Sequence, residues 1–216
     1  MSEARSGPPN LGVGVLNAAP CAAEATIAVT GVGRSGTTMV ARILAALGLP
    51  TGVPVGEDVL ESPEVNTLVL ARDVAGFAAL CRRADAAHPR WTLKSPKLRN
   101  HIADFSAVMR APRWIVVMRD PVAVAARNAL VADVDLLENM EAAARGNLRI
   151  CRQLAGLNAP ALLLSYEKTL QHPAETVAAV ARFCDVPLGA AAAAPLGATV
   201  MNGDPRYFGG REVKSA

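Results

Sequence analysis

The feature that most constrains this chain is a change of pattern near its start. An apolar run, Thr26-Ile27-Ala28-Val29-Thr30, passes into a glycine turn, Gly31-Val32-Gly33-Arg34-Ser35-Gly36, and then into Thr37-Thr38. The run has the length and β-branching of a strand buried on both faces. Beyond Thr37 the spacing becomes helical: Met39, Ile43, Leu44 and Leu47 share one face, and Gly48 sits where a helix stop belongs. Strand, glycine turn and helix in that order open a parallel α/β sheet.

The rest of the chain repeats this alternation. Residues 64–84 read as one helix, and Trp91-Thr92-Leu93 as a short strand opening onto Lys94-Ser95-Pro96. A helix over about 98–110 leads to the strongest strand, Trp114-Ile115-Val116-Val117-Met118, which stops at Arg119-Asp120-Pro121. Pro121 is well placed to begin a helix. A long helical region covers about 133–155, a last strand runs from Ala161 to Tyr166, and 173–184 is amphipathic. The Ala-rich stretch 189–198 carries little pattern, and the tail from Met201 reads as irregular. Continuous apolar strands between helices predict a mostly parallel sheet covered on both faces.

At 216 residues the chain can bury one substantial core, so a single domain over 26–216 is expected, preceded by a flexible leader over 1–25. A composition 51% hydrophobic and 19% charged excludes wholesale disorder. The net charge of +3, without a basic run, does not argue for a nucleic-acid or membrane partner. The four cysteines (Cys21, Cys81, Cys151 and Cys184) form no CxxC pair, so neither a zinc site nor a disulfide framework is expected. The start lacks the pattern of a secretory signal, and no apolar stretch reaches the roughly 20 residues of a membrane span. The expected location is cytoplasmic.

The glycine turn carries chemistry. Gly31 and Gly36 have the spacing with which nucleotide-binding loops curl several N–H groups and a helix N-terminus onto one anion. Arg34, Ser35, Thr37 and Thr38 add side-chain donors. Thr37 stands where a nucleoside-triphosphate loop carries the Lys that neutralises β and γ phosphates. That substitution argues against ATP hydrolysis while leaving anion binding intact.

Arg-Ser-Gly-Thr-Thr after a strand resembles the 5′-phosphosulfate loop of sulfotransferases that use 3′-phosphoadenosine 5′-phosphosulfate (PAPS). Trp91 to Ser95 and Trp114 to Asp120 look like the corresponding blocks of protein-tyrosine sulfotransferases and their bacterial counterparts. Leu164-Ser165-Tyr166-Glu167-Lys168 with His172-Pro173 resembles their third block. The resemblance covers about residues 26–186. It implies a three-layer P-loop α/β fold, PAPS as donor and 3′-phosphoadenosine 5′-phosphate (PAP) as product, with no metal required.

On that resemblance Gly33, Arg34, Ser35, Gly36, Thr37 and Thr38 would hold the phosphosulfate. Lys94, at a strand end, would stabilise charge on the leaving oxygen. The family places a Glu in a Gly-Glu-acid block after the first helix. Gly56-Glu57-Asp58 occupies that place, so Glu57 is the expected base, with Asp58 and Glu61 as rivals. The small-molecule enzymes use a His two residues after the Lys, where this chain has Pro96. Arg119 resembles the 3′-phosphate ligand. Arg127 stands where the family has Ser, and Tyr166 where it places a ring beside the nucleotide. The tail from Asn202 to Arg211 faintly resembles the family's glycine-rich nucleotide loop, which would bring Arg206 or Arg211 to the ligand. The acceptor stays open between a small metabolite, a glycoside and a peptide. A small P-loop kinase and a non-catalytic nucleotide-binding protein are the competing readings.

Overall fold

A computed structural model describes residues 9–129 and 132–201. Its centre is a five-stranded sheet built from β1 (Val13–Leu16), β2 (Ala25–Gly31), β3 (Arg90–Lys94), β4 (Arg113–Met118) and β5 (Ala161–Ser165). The strand order is β1-β5-β4-β2-β3. The pairs β2–β3, β2–β4 and β4–β5 are parallel, and β1 joins β5 antiparallel. The chain leaves β2 for β3 on one side and later fills β4 on the other. The C-terminal end of β2 is therefore a switch point, where open α/β sheets form a crevice for ligands.

Side-chain alternation along the strands builds two apolar layers. Ala28, Trp91, Leu93, Trp114 and Val116 face α2 (Pro63–Ala71), α3 (Val74–Ala87), α4 (Ile102–Ser106) and α6 (Leu136–Ala155). Ile27, Val29, Ile115 and Val117 face α1 (Thr37–Ala46), α8 (Pro173–Phe183) and α9 (Ala190–Met201). The expectation of a parallel sheet with helices on both faces holds. No helix among the described residues is long and apolar enough to cross a membrane.

Several local expectations change. Residues 13–16, inside the segment 1–25 expected to be a flexible leader, form an edge strand. That segment is tied down further: Asn17 donates to the carbonyls of Leu157 and Ala159, and Arg113 donates to those of Ala19 and Pro20. The helix expected over 64–84 is two helices, because Arg72 adopts φ +54° and Asp73 caps a new helix through Gly76 N–H. The helix expected over 98–110 is a 3₁₀ turn (Pro96–Asn100) followed by the short α4, since Ser95 and Pro96 start a tight turn directly at the strand end. The last strand stops at Ser165, which caps α7 (Tyr166–Gln171), so Tyr166 is a first-turn helical residue. The Ala-rich stretch forms α9 despite Pro195.

One packing contact decides where the loop after α1 lies. Thr92 N–H donates to Pro50 O, Gly52 N–H donates to Thr92 O, and the Trp91 ring covers Gly52. A Cβ on Gly52 would overlap that ring and crowd Ala84, both in the buried layer. We expect Gly52→Ala to lower stability by about 1–3 kcal/mol, the usual range for overpacking. Urea denaturation checks this, and an unchanged midpoint would show that Trp91 does not anchor the loop.

Candidate active site

Four parallel strands deliver their C-terminal ends to one place. β2 ends in the glycine turn, β3 in Lys94, β4 leads to Arg119, and β5 leads to Tyr166. Ser35 N–H closes the turn onto Val32 O, and Arg34 takes φ +67°. Gly36 starts α1 at φ +98° with no side-chain cap, so the first N–H groups of the helix stay available to an anion. Only glycine fits there: its conformation is left-handed, and a Cβ would run into the Tyr166 ring. At Gly33, by contrast, a Cβ would meet nothing within 4 Å, so the backbone there faces open space.

The loop has the attributes of an anion cradle. Ser35 Oγ is fully buried and has no hydrogen-bond partner among the described residues. Thr37 is buried and Arg34 exposed. A buried hydroxyl without a partner is uncommon unless a ligand or water supplies one. The buried donor, the open backbone and the uncapped helix fit a phosphate or sulfate group.

Lys94 is the charged centre of the site. Its side chain is only 4% exposed. The ammonium donates to Val59 O at 2.6 Å, to Glu61 Oε1 at 2.7 Å and to Thr38 Oγ1 at 3.1 Å. An ammonium has three donors, and all are used. Burial pushes Lys94 below the ordinary lysine range and the nearby Arg34 charge adds to this, while Glu61 opposes it. Burial by itself would raise the Glu61 carboxyl. Hydrogen bonds from Lys94 and Asn66, with the charges of Lys94 and Lys97, outweigh that and hold it below its ordinary value.

The structure brings Glu61, one of the two rivals, to Lys94, and not Glu57. Glu57 is exposed and makes no hydrogen bond or ion pair with the described residues. The reason lies in the loop: Gly56 N–H donates to Glu61 O and Leu60 N–H to Gly56 O, which folds residues 56–61 into a compact turn. Val59 and Glu61 then point their polar atoms inward at Lys94. Asp58, the other rival, is exposed on the same turn.

Arg119 lies across the other side of the loop. It donates to Arg34 O at 2.8 Å and stacks on the Tyr166 ring at 4.3 Å. Its Nε is buried without a hydrogen bond among the described residues, 4.0 Å from Glu167 Oε1. Arg119 thus braces the turn through Arg34 O and Tyr166. Arg127 lies half-buried on α5 (Pro121–Ala129), and Asn147 of α6 donates to Arg119 O. Asn66 and Ser95, to which sequence reasoning gave no role, belong to the site through Glu61. The sequence signal for Asn66 was the helix start Ser62-Pro63, which places Glu61 just before α2 and Asn66 in its first turn. Arg206 and Arg211 lie outside the described residues.

No protein-family model and no curated protein sequence matches the chain. Solved structures do. The sulfotransferase domain of the Synechococcus PCC 7002 olefin synthase is similar at a TM-score of 0.54 and 17% identity, covering 88% of this chain and 84% of that one. A sulfotransferase of Mycobacterium tuberculosis H37Rv gives 0.51 and 16%, covering 87% and 74%. One from Mycobacterium avium gives 0.54 and 15%, covering 85% and 69%. The fold of this chain is that of the sulfotransferases.

The Lys94–Glu61 pair makes a pH prediction. Glu61 has a lower value in the folded state than its ordinary 4.5, so its ionised form stabilises the fold above that value. The contribution is lost as pH falls through the folded value. Glu61→Gln should melt lower than wild type at pH 7, because Lys94 stays buried without its counter-charge. It should also lose less as pH falls below that ordinary value. Parallel melting curves for the two proteins would mean that the pair does not couple to folding.

Proposed function

We propose that this protein transfers the sulfuryl group of PAPS to a hydroxyl of an acceptor, releasing PAP. The observation that carries the reading is the position of Lys94: a buried ammonium in contact with Thr38 of an anion-binding loop and with a carboxylate. In a P-loop kinase the equivalent cation comes from the loop itself, where this chain has Thr37.

The chemistry follows from what each group can do. The turn Gly33-Arg34-Ser35-Gly36-Thr37-Thr38 holds the phosphosulfate through backbone N–H groups, the orphan Ser35 hydroxyl and the Arg34 charge. Arg119 and Arg127 receive the 3′-phosphate, and Tyr166 packs beside the nucleotide. The acceptor oxygen attacks sulfur in line, the bond from sulfur to the bridging oxygen breaks, and its electron pair stays on the 5′-phosphate of PAP. Lys94 binds that oxygen more strongly as charge develops on it. The acceptor's proton passes to a carboxylate of the loop, for which Glu61 has the better geometry than Glu57. The acceptor belongs to the class of small hydroxylated metabolites, glycosides or peptides.

PAP should raise the melting temperature, since it binds the folded state only. Labelled-sulfate transfer from PAPS to a panel of hydroxylated metabolites, sugars and peptides then reads the activity. Lys94→Ala should lower kcat by about 10²–10³-fold, the usual cost of losing one donor to a developing oxyanion, and keep the stabilisation by PAP. Stabilisation by ATP with magnesium and not by PAP would overturn the proposal in favour of a phosphotransferase. Undiminished transfer by Lys94→Ala would remove that residue from the mechanism.

A further inference from the structure

We infer that Asn66 is a positioning residue for this reaction: it clamps the Glu61 carboxylate beside Lys94 and keeps it there when the ammonium turns to the donor. The inference rests on the sulfuryl-transfer reading and extends it to a residue outside the anion-binding turn.

The geometry is a closed ring. Lys94 Nζ donates to Glu61 Oε1 at 2.7 Å, and Asn66 Nδ2 donates to Glu61 Oε2 at 3.0 Å. Ser95 Oγ donates to Asn66 Oδ1 at 2.7 Å, and the peptide between Lys94 and Ser95 completes the circuit. The direction of each bond is determined. The ionised Glu61 carboxylate only accepts, so the Asn66 NH₂ faces it, and Oδ1 faces Ser95, whose hydroxyl donates to it while accepting from Lys97 N–H. The opposite orientation would set a carbonyl oxygen against a carboxylate oxygen.

The ring is anchored to the sheet. Ser95 is fully buried, its N–H donates to Val29 O, and its carbonyl accepts from Thr30 Oγ1. Both partners lie on β2, the strand that feeds the anion-binding turn. Asn66 is fixed in turn by its own N–H to Ser62 O at the start of α2. Loop and carboxylate therefore share one rigid support.

The clamp matters because Lys94 has no free donor. An incoming sulfated anion must take at least one of its three contacts. Glu61 sits in the turn before α2, and without Asn66 its carboxylate would be held by Lys94 alone among the described residues. With Asn66 holding Oε2, the carboxylate stays while Oε1 is released to accept the acceptor's proton. A displacement of about 1 Å at such a group costs on the order of 10²-fold in rate.

The test follows the Glu61 carboxyl directly by NMR titration of protein labelled with ¹³C-glutamate, its signal assigned by its loss in Glu61→Gln. Asn66→Ala should raise the Glu61 midpoint, because the anion loses a donor, and Asn66→Asp should raise it further by adding a like charge. In transfer assays Asn66→Ala should lower kcat about 10- to 100-fold, with the KM for PAPS and the stabilisation by PAP nearly unchanged. A purely structural Asn66 would lower the melting temperature and leave the Glu61 midpoint where it is, and that result overturns the inference. Asn66→Asp is close in size and carries the measurement if the alanine variant does not fold. Wild-type protein that binds PAP but transfers nothing refutes the functional reading, whereas an unmoved Glu61 midpoint refutes the Asn66 assignment alone.

Discussion

A buried ammonium without an aqueous shell has to be surrounded, and the site is organised around that requirement. Lys94 meets it with a carbonyl, a carboxylate and a hydroxyl drawn from two other segments of the chain. Each of those contacts fixes something else. Thr38 ties the cation to the anion-binding turn, Val59 ties it to the compact loop over 56–61, and Glu61 passes the constraint to Asn66 and Ser95. Breaking one member leaves a desolvated charge exposed to the others, which makes the group cooperative.

The location of this cation separates the present site from a nucleoside-triphosphate loop. There the neutralising lysine follows the second glycine. Here that place is Thr37, and positive charge arrives from the neighbouring strand β3. In the proposed sulfuryl transfer, a cation on that strand end would meet the charge that develops on the bridging oxygen as it leaves. Arg34 supplies a second positive charge close enough to depress Lys94 further. Two like charges held together with a buried Ser35 hydroxyl that has no partner among the described residues describe a candidate site for an anion.

On the far side of the turn, packing replaces charge as the organising force. Gly36 admits the Tyr166 ring against the backbone, and Arg119 closes over that ring while donating to Arg34 O. These contacts join the ends of β2, β4 and β5, much as the Ser95 contacts join β2 to β3. The anion-binding turn is therefore held from both flanks of the switch point. Two of its residues, Arg34 and Gly36, take left-handed conformations.

Some of this was legible in the residues alone. The strand, turn and helix around Gly31 to Thr38 are local events, set by β-branching, glycine spacing and helical periodicity. They were sufficient to predict a parallel α/β sheet and to point to a candidate site for an anion. Lys94 and Arg119 could be picked out because strand ends in such sheets converge on one edge. Other features had no local signal. The break at Arg72 and the short turn after Ser95 depend on capping side chains that compete with an otherwise helical pattern, and β1 forms because the outer edge of β5 needs a partner. The choice of Glu61 over Glu57 was beyond the sequence, since both acids lie on one short loop and only its fold against Trp91 and Lys94 tells them apart. Asn66 and Ser95 meet across 29 positions. The sequence by itself determined the chemistry available at the anion-binding turn, because backbone conformation there is a property of the residues in it. Which carboxylate faces the cation was decided by the tertiary structure, because that contact exists only once α2 and β3 have packed together.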